Sequence, residues 1–203
     1  STTNPEDDAL ESFCQEKKIA CYRGSDWDVL DRFYQAALPY QPKNIIRITS
    51  DCPLHHHEVV DFVVHAFESS GCDYLSNSNH EPAIIEDGFD TEVFSFGALE
   101  TAWKDAKMLS EREHVTPFIK NSGKFKCCWT QYNKEYQYKL SVDSADDLRA
   151  VEAIFDALKD KPDFGMNEVV RLLKERPDIA AINSSSVTNS GYQKSLKNDK
   201  PIN

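Results

Sequence analysis

The sequence has no apolar run near the roughly 18 residues that a membrane-spanning helix needs, and no charged-then-apolar leader at its start. A cytoplasmic protein with no membrane partner is therefore expected. Cations are scarce: 23 lysines and arginines face 34 aspartates and glutamates, for a net charge of −11. That deficit argues against a nucleic-acid partner, because phosphate backbones recruit Lys and Arg. It leaves room for a single nucleotide, whose phosphates a metal ion and a few local cations can balance. The six cysteines (Cys14, Cys21, Cys52, Cys72, Cys127 and Cys128) form no CxxC pair and no scaffold spacing. Reduced thiols are expected. Cys127 and Cys128 would point to opposite faces of a strand as buried, inert groups. No internal repeat is present.

What is there fits one globular domain: 203 residues, 40% apolar and 28% charged, enough to bury a core. Asn4, Pro5 and the acids that follow signal a first helix, with Leu10, Phe13 and Cys14 as its apolar stripe. Residues 19–22 read as a short strand. Ser25 reads as a cap for a helix burying Leu30, Phe33, Tyr34 and Ala37. Strands are predicted at 44–49, 73–76 and 91–94, and a polar loop at 77–90. Loops of that length in a compact domain often serve substrates. Helices are predicted at 58–69, 96–106, 145–159 and 167–175, and another from residue 111, ended or kinked by Pro117. Residues 125–129 and 135–142 read as paired strands, and 183–203 as a flexible polar tail after one domain over 1–182. Strands alternating with helices predict an α/β sandwich with a largely parallel sheet.

Ligands in such sheets sit beyond the carboxyl ends of strands. Asp51 follows the strand at 44–49, and Asp143 follows the strand ending at Val142. Magnesium takes one or two protein carboxylates together with waters and phosphate oxygens, so both acids are candidate ligands. The alternatives are that Asp51 caps the following helix and that Asp143 belongs to a helix-start acid cluster with Asp146 and Asp147. Arg23 precedes a helix start, a natural anion site. Glu111, Arg112 and His114 form a polar cluster in which Arg112 could grip an acidic sugar through a two-pronged bond. Arg47, beside the Asp51 turn, joins Arg23, Glu111, Arg112 and His114 as a candidate substrate-binding residue. His55, His56 and His57 suggest transition-metal binding. Three consecutive side chains on regular backbone diverge, however, so a solvated turn is the reading taken.

Six stretches carry a resemblance: YRGSDWDVLDRFYQAA at 22–37, RITSDCPL at 47–54, GFDTEVFSFGALETAWKDA at 88–106, SEREHVTPFI at 110–119, LSVDSADDL at 140–148 and GYQKSL at 191–196. In this order they resemble the spore-coat-polysaccharide-type cytidylyltransferases, relatives of the acylneuraminate and 3-deoxy-manno-octulosonate cytidylyltransferases. The resemblance implies a Rossmann-like αβα sandwich of the nucleotide-diphospho-sugar transferase type. It also implies transfer of CMP from CTP to a sugar or sugar-acid hydroxyl, with magnesium as cofactor. The acids of the motifs like RITSDCPL and VDSADDL would bind that metal and serve catalysis; here they are Asp51 and Asp143. Two departures stand out. The family's opening strand and loop of the type ARxxSxRLPGK have no counterpart in a chain that opens STTNPEDD, so an N-terminally truncated domain is expected. His55-His56-His57 replaces the family's Ile-Asp-Pro-like turn.

Two functions stay open at this point. One is an enzyme, or the remnant of one, that makes CMP-activated sugars for spore-coat or capsule polysaccharide from CTP and a sugar or sugar acid. The other is a non-catalytic module that binds a sugar or pairs with a subunit: a second copy, or a partner supplying the N-terminal segment. A sugar transferase using Asp26-Trp27-Asp28 as an Asp-x-Asp metal motif is a third, weaker option.

Overall fold

The computed structural model describes residues 1–78, 85–130, 138–187 and 190–202. In chain order the elements are α1 (Asp8–Lys17), α2 (Val29–Ala37), β1 (Asn44–Arg47), α3 (His57–Ser70), β2 (Tyr74–Ser76), β3 (Glu92–Ser95), α4 (Phe96–Asp105), α5 (Leu109–His114), α6 (Pro117–Asn121), β4 (Cys127–Trp129), α7 (Ala145–Leu158), α8 (Met166–Glu175), α9 (Pro177–Ala180) and α10 (Ser190–Lys197). The strands form one sheet in the order β1-β3-β2-β4, with β2 and β4 parallel, Tyr74 opposite Cys127 and Ser76 opposite Trp129. This is the mixed α/β architecture that alternating strand and helix patterns predict. No described helix is long and apolar enough to cross a membrane. Where one domain over 1–182 is expected, contacts cluster into two compact units. The first is Ser1–Ile45, Phe94–Lys126 and Asn189–Asn203; the second is Ile46–Val93 and Cys127–Thr188.

In the first unit, Tyr34 on α2 stacks on Trp103 of α4 with ring centroids 4.2 Å apart, and Trp103 Nε1 donates to Asp31 at 2.7 Å. Asp28 caps α2, accepting from the Asp31 N–H at 2.9 Å, so the helix starts three residues beyond the expected Ser25 cap; Ser25 Oγ accepts from Asp28 N instead. The Asp28 carboxylate also receives Arg112 in a two-pronged, buried pair at 2.6–3.0 Å. Residues 19–22 form no strand, and Leu10 and Phe13 on α1 are half exposed, against their expected burial. α5 begins at Leu109, ahead of the expected start at 111. Glu111 reaches back to the Met108 N–H at 2.9 Å, while Ser110 binds Asp199. The stretch expected as a loose tail carries α10, and its end is tied down: Leu109 N donates to Lys200 O and Ile202 N to Lys107 O at 2.7 Å.

In the second unit, Val63 and Phe67 of α3 pack on Leu75 and Val93. Gly71 closes α3 at φ +62°, a left-handed turn that glycine adopts without a Cβ penalty. A larger core joins Leu54, Val59, Phe89 and Leu140 to Val151 and Ile154 of α7 and Met166 and Val169 of α8. The Ser144 hydroxyl accepts from Asp147 N and opens α7 at Ala145, where the helix at 145–159 is expected. Cys127–Trp129 pairs with β2; the partner expected for it, 135–142, lies partly outside the described residues. Cys72 and Cys128 are joined as a disulfide, which corrects the expectation of inert thiols.

Removing the Asp28 carboxylate strands a buried guanidinium. Asp28→Ala is expected to lower unfolding free energy by about 3–5 kcal/mol in urea titrations, whereas the exposed Asp26→Ala changes it little.

Candidate functional site

Beyond β1 the chain turns twice, Cys52 N donating to Thr49 O and His55 N to Cys52 O. Cys52 and Leu54 point inward, and burial pushes the Cys52 thiol up to about 12, so it anchors the turn uncharged. Asp51 is left exposed at the rim. Two further stretches close on this turn. Val142 N donates to Asp51 O at 2.8 Å, and Leu140 N donates to Asp87 O at 2.8 Å. Gly88, at φ +105°, permits the second approach: a Cβ there would lie 2.6 Å from the Leu140 carbonyl carbon.

Acidic side chains crowd where the three stretches meet. Asp87 accepts from the Ser141 hydroxyl at 2.8 Å. The Lys139 ammonium lies among Asp143 (2.8 Å), Asp147 (2.9 Å) and the Ser141 carbonyl (2.9 Å). Burial of its charged form pushes the Asp90 carboxyl up from 3.8 to about 7, and the charges of Asp87, Glu92 and Asp51 add to the shift. Asp87 is also raised, first by burial and then by Asp143 and Asp51, against the opposing Ser141 bond and Lys139. Asp147 behaves oppositely: burial disfavours its charge, but hydrogen bonds from Asn183, Lys139 and Ser144 hold it well below the usual carboxylate range.

The structure thus brings the turn after β1, which carries Asp51, beside the segment that carries Asp143; the described residues 138–142 of that segment form an isolated bridge from Lys139 to Asp87 and no strand, where a strand ending at Val142 is expected. Asp143 is exposed and shares Lys139, where the sequence suggests a carboxylate free of protein partners. Arg47, in the same unit, pairs with Glu92 at 2.5 Å, and Glu92 also accepts from the Tyr74 hydroxyl. The remaining candidates lie in the first unit. Arg23 ties down the N-terminal segment through Asp8, Glu11 and the carbonyls of Thr2 and Asn4. Arg112 is committed to Asp28 and the Trp103 carbonyl, Glu111 caps α5, and His114 meets Ser195 at 3.0 Å. Asp28 of the Asp-x-Asp stretch serves as a helix cap and ion-pair partner. A cavity of about 410 Å³ in the first unit, lined by Tyr22, Val29, Phe33 and Ile45 among others, includes none of the candidates.

Sequence reasoning misses Asp87, Asp90 and Lys139. The available signal is the pair of acids flanking Gly88 in the polar loop. Of the three histidines, His55 is not solvated: it packs against Thr91 Oγ1 (3.0 Å) and Asp90 O (3.2 Å), and burial lowers its pKa, favouring the neutral ring.

Comparisons with known proteins bear on the family and the fold. A family model described as Cytidylyltransferase matches residues 1–180. The chain is 35% identical over 192 residues to an uncharacterized protein of Methanocaldococcus jannaschii, covering 91% of this chain and 75% of that one. It is 28% identical to the spore coat polysaccharide biosynthesis protein SpsF of Bacillus subtilis, over 86% and 72% of the two chains. A solved cytidylyltransferase from Leptospira borgpetersenii superposes with a TM-score of 0.80 at 26% identity, over 88% of this chain and 76% of that one.

Gly88→Ala is expected to cost about 1–3 kcal/mol or more, through positive φ and the Leu140 clash. Gly97→Ala, on open helix surface, is expected to be neutral or stabilising. Thermal unfolding of both variants checks this.

Proposed function

The chain belongs to the cytidylyltransferase family, and from that premise we propose that it transfers CMP from CTP to a hydroxyl of a sugar or sugar acid destined for surface polysaccharide. The hydroxyl oxygen attacks the α-phosphorus of CTP, the bond to the β-phosphate bridge breaks, pyrophosphate leaves, and the hydroxyl proton passes to water. The observation that carries the reading is the bond from Val142 N to Asp51 O, which sets the segments of Asp51 and Asp143 side by side, with Asp87 and Asp90 beside them. The names of the Bacillus and Leptospira relatives point the same way.

The residues fit a hard cation. Asp51 and Asp143 offer exposed carboxylates, and Asp87 and Asp90, raised first by burial and then by the neighbouring acids, add negative charge to the region. Asp51 and Asp143 are the residues that would hold magnesium, which when bound neutralises phosphate charge. Lys139 fixes Asp143 from behind, and the Asp147–Asn183 network fixes Lys139, so the carboxylate is positioned before substrate arrives. Cys52 and Leu54, packed inward, keep the Asp51 turn from relaxing.

A second reading, a module that binds sugar without catalysis, draws on one observation. Arg23, Arg47 and Arg112, the expected grips for phosphate or acid, all spend their guanidinium groups on carboxylates of their own unit.

Calorimetry with CTP and magnesium separates the two. The wild type is expected to bind CTP in a magnesium-dependent way, and Asp51→Ala with Asp143→Ala to abolish binding while circular dichroism stays unchanged. A folded wild type that binds a sugar acid but no CTP favours the second reading.

A further inference from the structure

His56, His57 and Asp163 in the second unit form a cluster apart from the carboxylates assigned above. His56 is the N-cap of α3, with extended backbone at φ −128° and ψ 144°, and His57 is the first helical residue. Neighbouring side chains diverge on a regular strand, but here the backbone changes from extended to helical between them. The two rings therefore lie side by side, centroids 4.1 Å apart, while the His55 ring turns to Thr91 and Asp90. Asp163 comes from the connection between α7 and α8, and its Oδ1 lies 3.3 Å from His56 Nε2. One ligand atom from each of His56, His57 and Asp163 lies within 4.8 Å of the others. Ligands about 2.0–2.1 Å from a tetrahedral zinc are roughly 3.4 Å apart, so small side-chain rotations close the set.

Two surrounding features suit a ligand role. Gly165 lets the backbone pass beside the His56 ring; a Cβ there would sit 3.3 Å from His56 Nδ1. The Glu58 carboxylate lies 3.8 Å from that same Nδ1. Without metal, Nδ1 accepts from the Glu58 backbone N–H at 3.4 Å; with a metal on Nε2 the ring proton moves to Nδ1, that capping bond is given up, and the N–H turns to the Glu58 carboxylate, the carboxylate–histidine–metal arrangement that orients a ligating ring and raises its basicity.

We propose that His56, His57 and Asp163 bind a zinc-class divalent ion, with a water completing the coordination, and that the ion clamps the start of α3 to the α7–α8 connection. Two imidazole nitrogens and one carboxylate select a borderline transition metal over magnesium. The clamp does not depend on the CTP reading, because it shares no ligand with it.

The test is calorimetric titration of the full chain with zinc chloride in excess magnesium, supported by the absorption spectrum of the cobalt-loaded protein. One equivalent of zinc is expected to bind. Binding should weaken about tenfold or more in Asp163→Asn and in His57→Gln, and the cobalt spectrum should lack a sulfur-to-metal band. Asp163 is 87% exposed, so Asp163→Asn should keep the fold, and unchanged circular dichroism verifies it. No zinc uptake by the wild type, uptake by the variants as tight as the wild type's, displacement by magnesium, or a sulfur band that places the ion on cysteines would each overturn the proposal.

Discussion

Two backbone hydrogen bonds, Leu140 N to Asp87 O and Val142 N to Asp51 O, hold three separate stretches of the second unit together. Everything proposed for the site depends on them. They exist because Gly88 lets the chain come closer to Leu140 than any residue with a Cβ could, and because Leu54, Phe89 and Leu140 share one core. The cost of the arrangement is electrostatic. Asp90 is held at about 7 in place of its ordinary 3.8, so the folded state binds its proton more tightly than the unfolded chain does. Its contribution to stability is therefore fullest below about pH 3.8 and fades as the pH rises to about 7.

The second unit sorts its carboxylates into two kinds. Asp147 is buried but surrounded by donors from Asn183, Lys139 and Ser144, and it stays charged as a structural element. Asp87 and Asp90 resist ionisation first because they are buried and then because neighbouring acids crowd them. Active sites commonly push neighbouring acids in opposite directions. Lys139 stands at the boundary: burial works against its charge, yet Asp143 and Asp147 raise its pKa and keep it an ammonium. The first unit shows the contrasting use of charge. There Asp28 and Arg112 neutralise one another inside the core and hold α2 and α5 together.

The sequence made much of this legible. The periodicity of Val59, Val63 and Phe67 gives α3, and the helix expected at 145–159 is found as α7 from Ala145 to Leu158. The expected strand ends draw attention to Asp51 and Asp143, but before Asp143 the described residues form only an isolated bridge at Lys139. What the sequence could not reach is pairing at a distance. Arg112 has the residue type and position of a substrate grip, and only the fold reveals that Asp28, 84 residues away, has already taken it. Asp87 and Asp90 look like ordinary loop acids until Leu140 is placed beside Gly88. The 183–203 stretch has a tail-like composition, yet Asp199 and Ile202 find partners in 107–110 that composition does not encode. Cys72 and Cys128, 56 residues apart, escape a search for CxxC pairs for the same reason.

The most direct test of the converged acid site is a carboxyl-carbon NMR titration of the aspartates, with and without magnesium. One aspartate, absent from the spectrum of Asp90→Asn, is expected to titrate near pH 7 in metal-free protein and to shift to lower pH when magnesium is added. An Asp90 that titrates near 4, or that ignores magnesium while Asp51 and Asp143 do the same, would contradict this expectation.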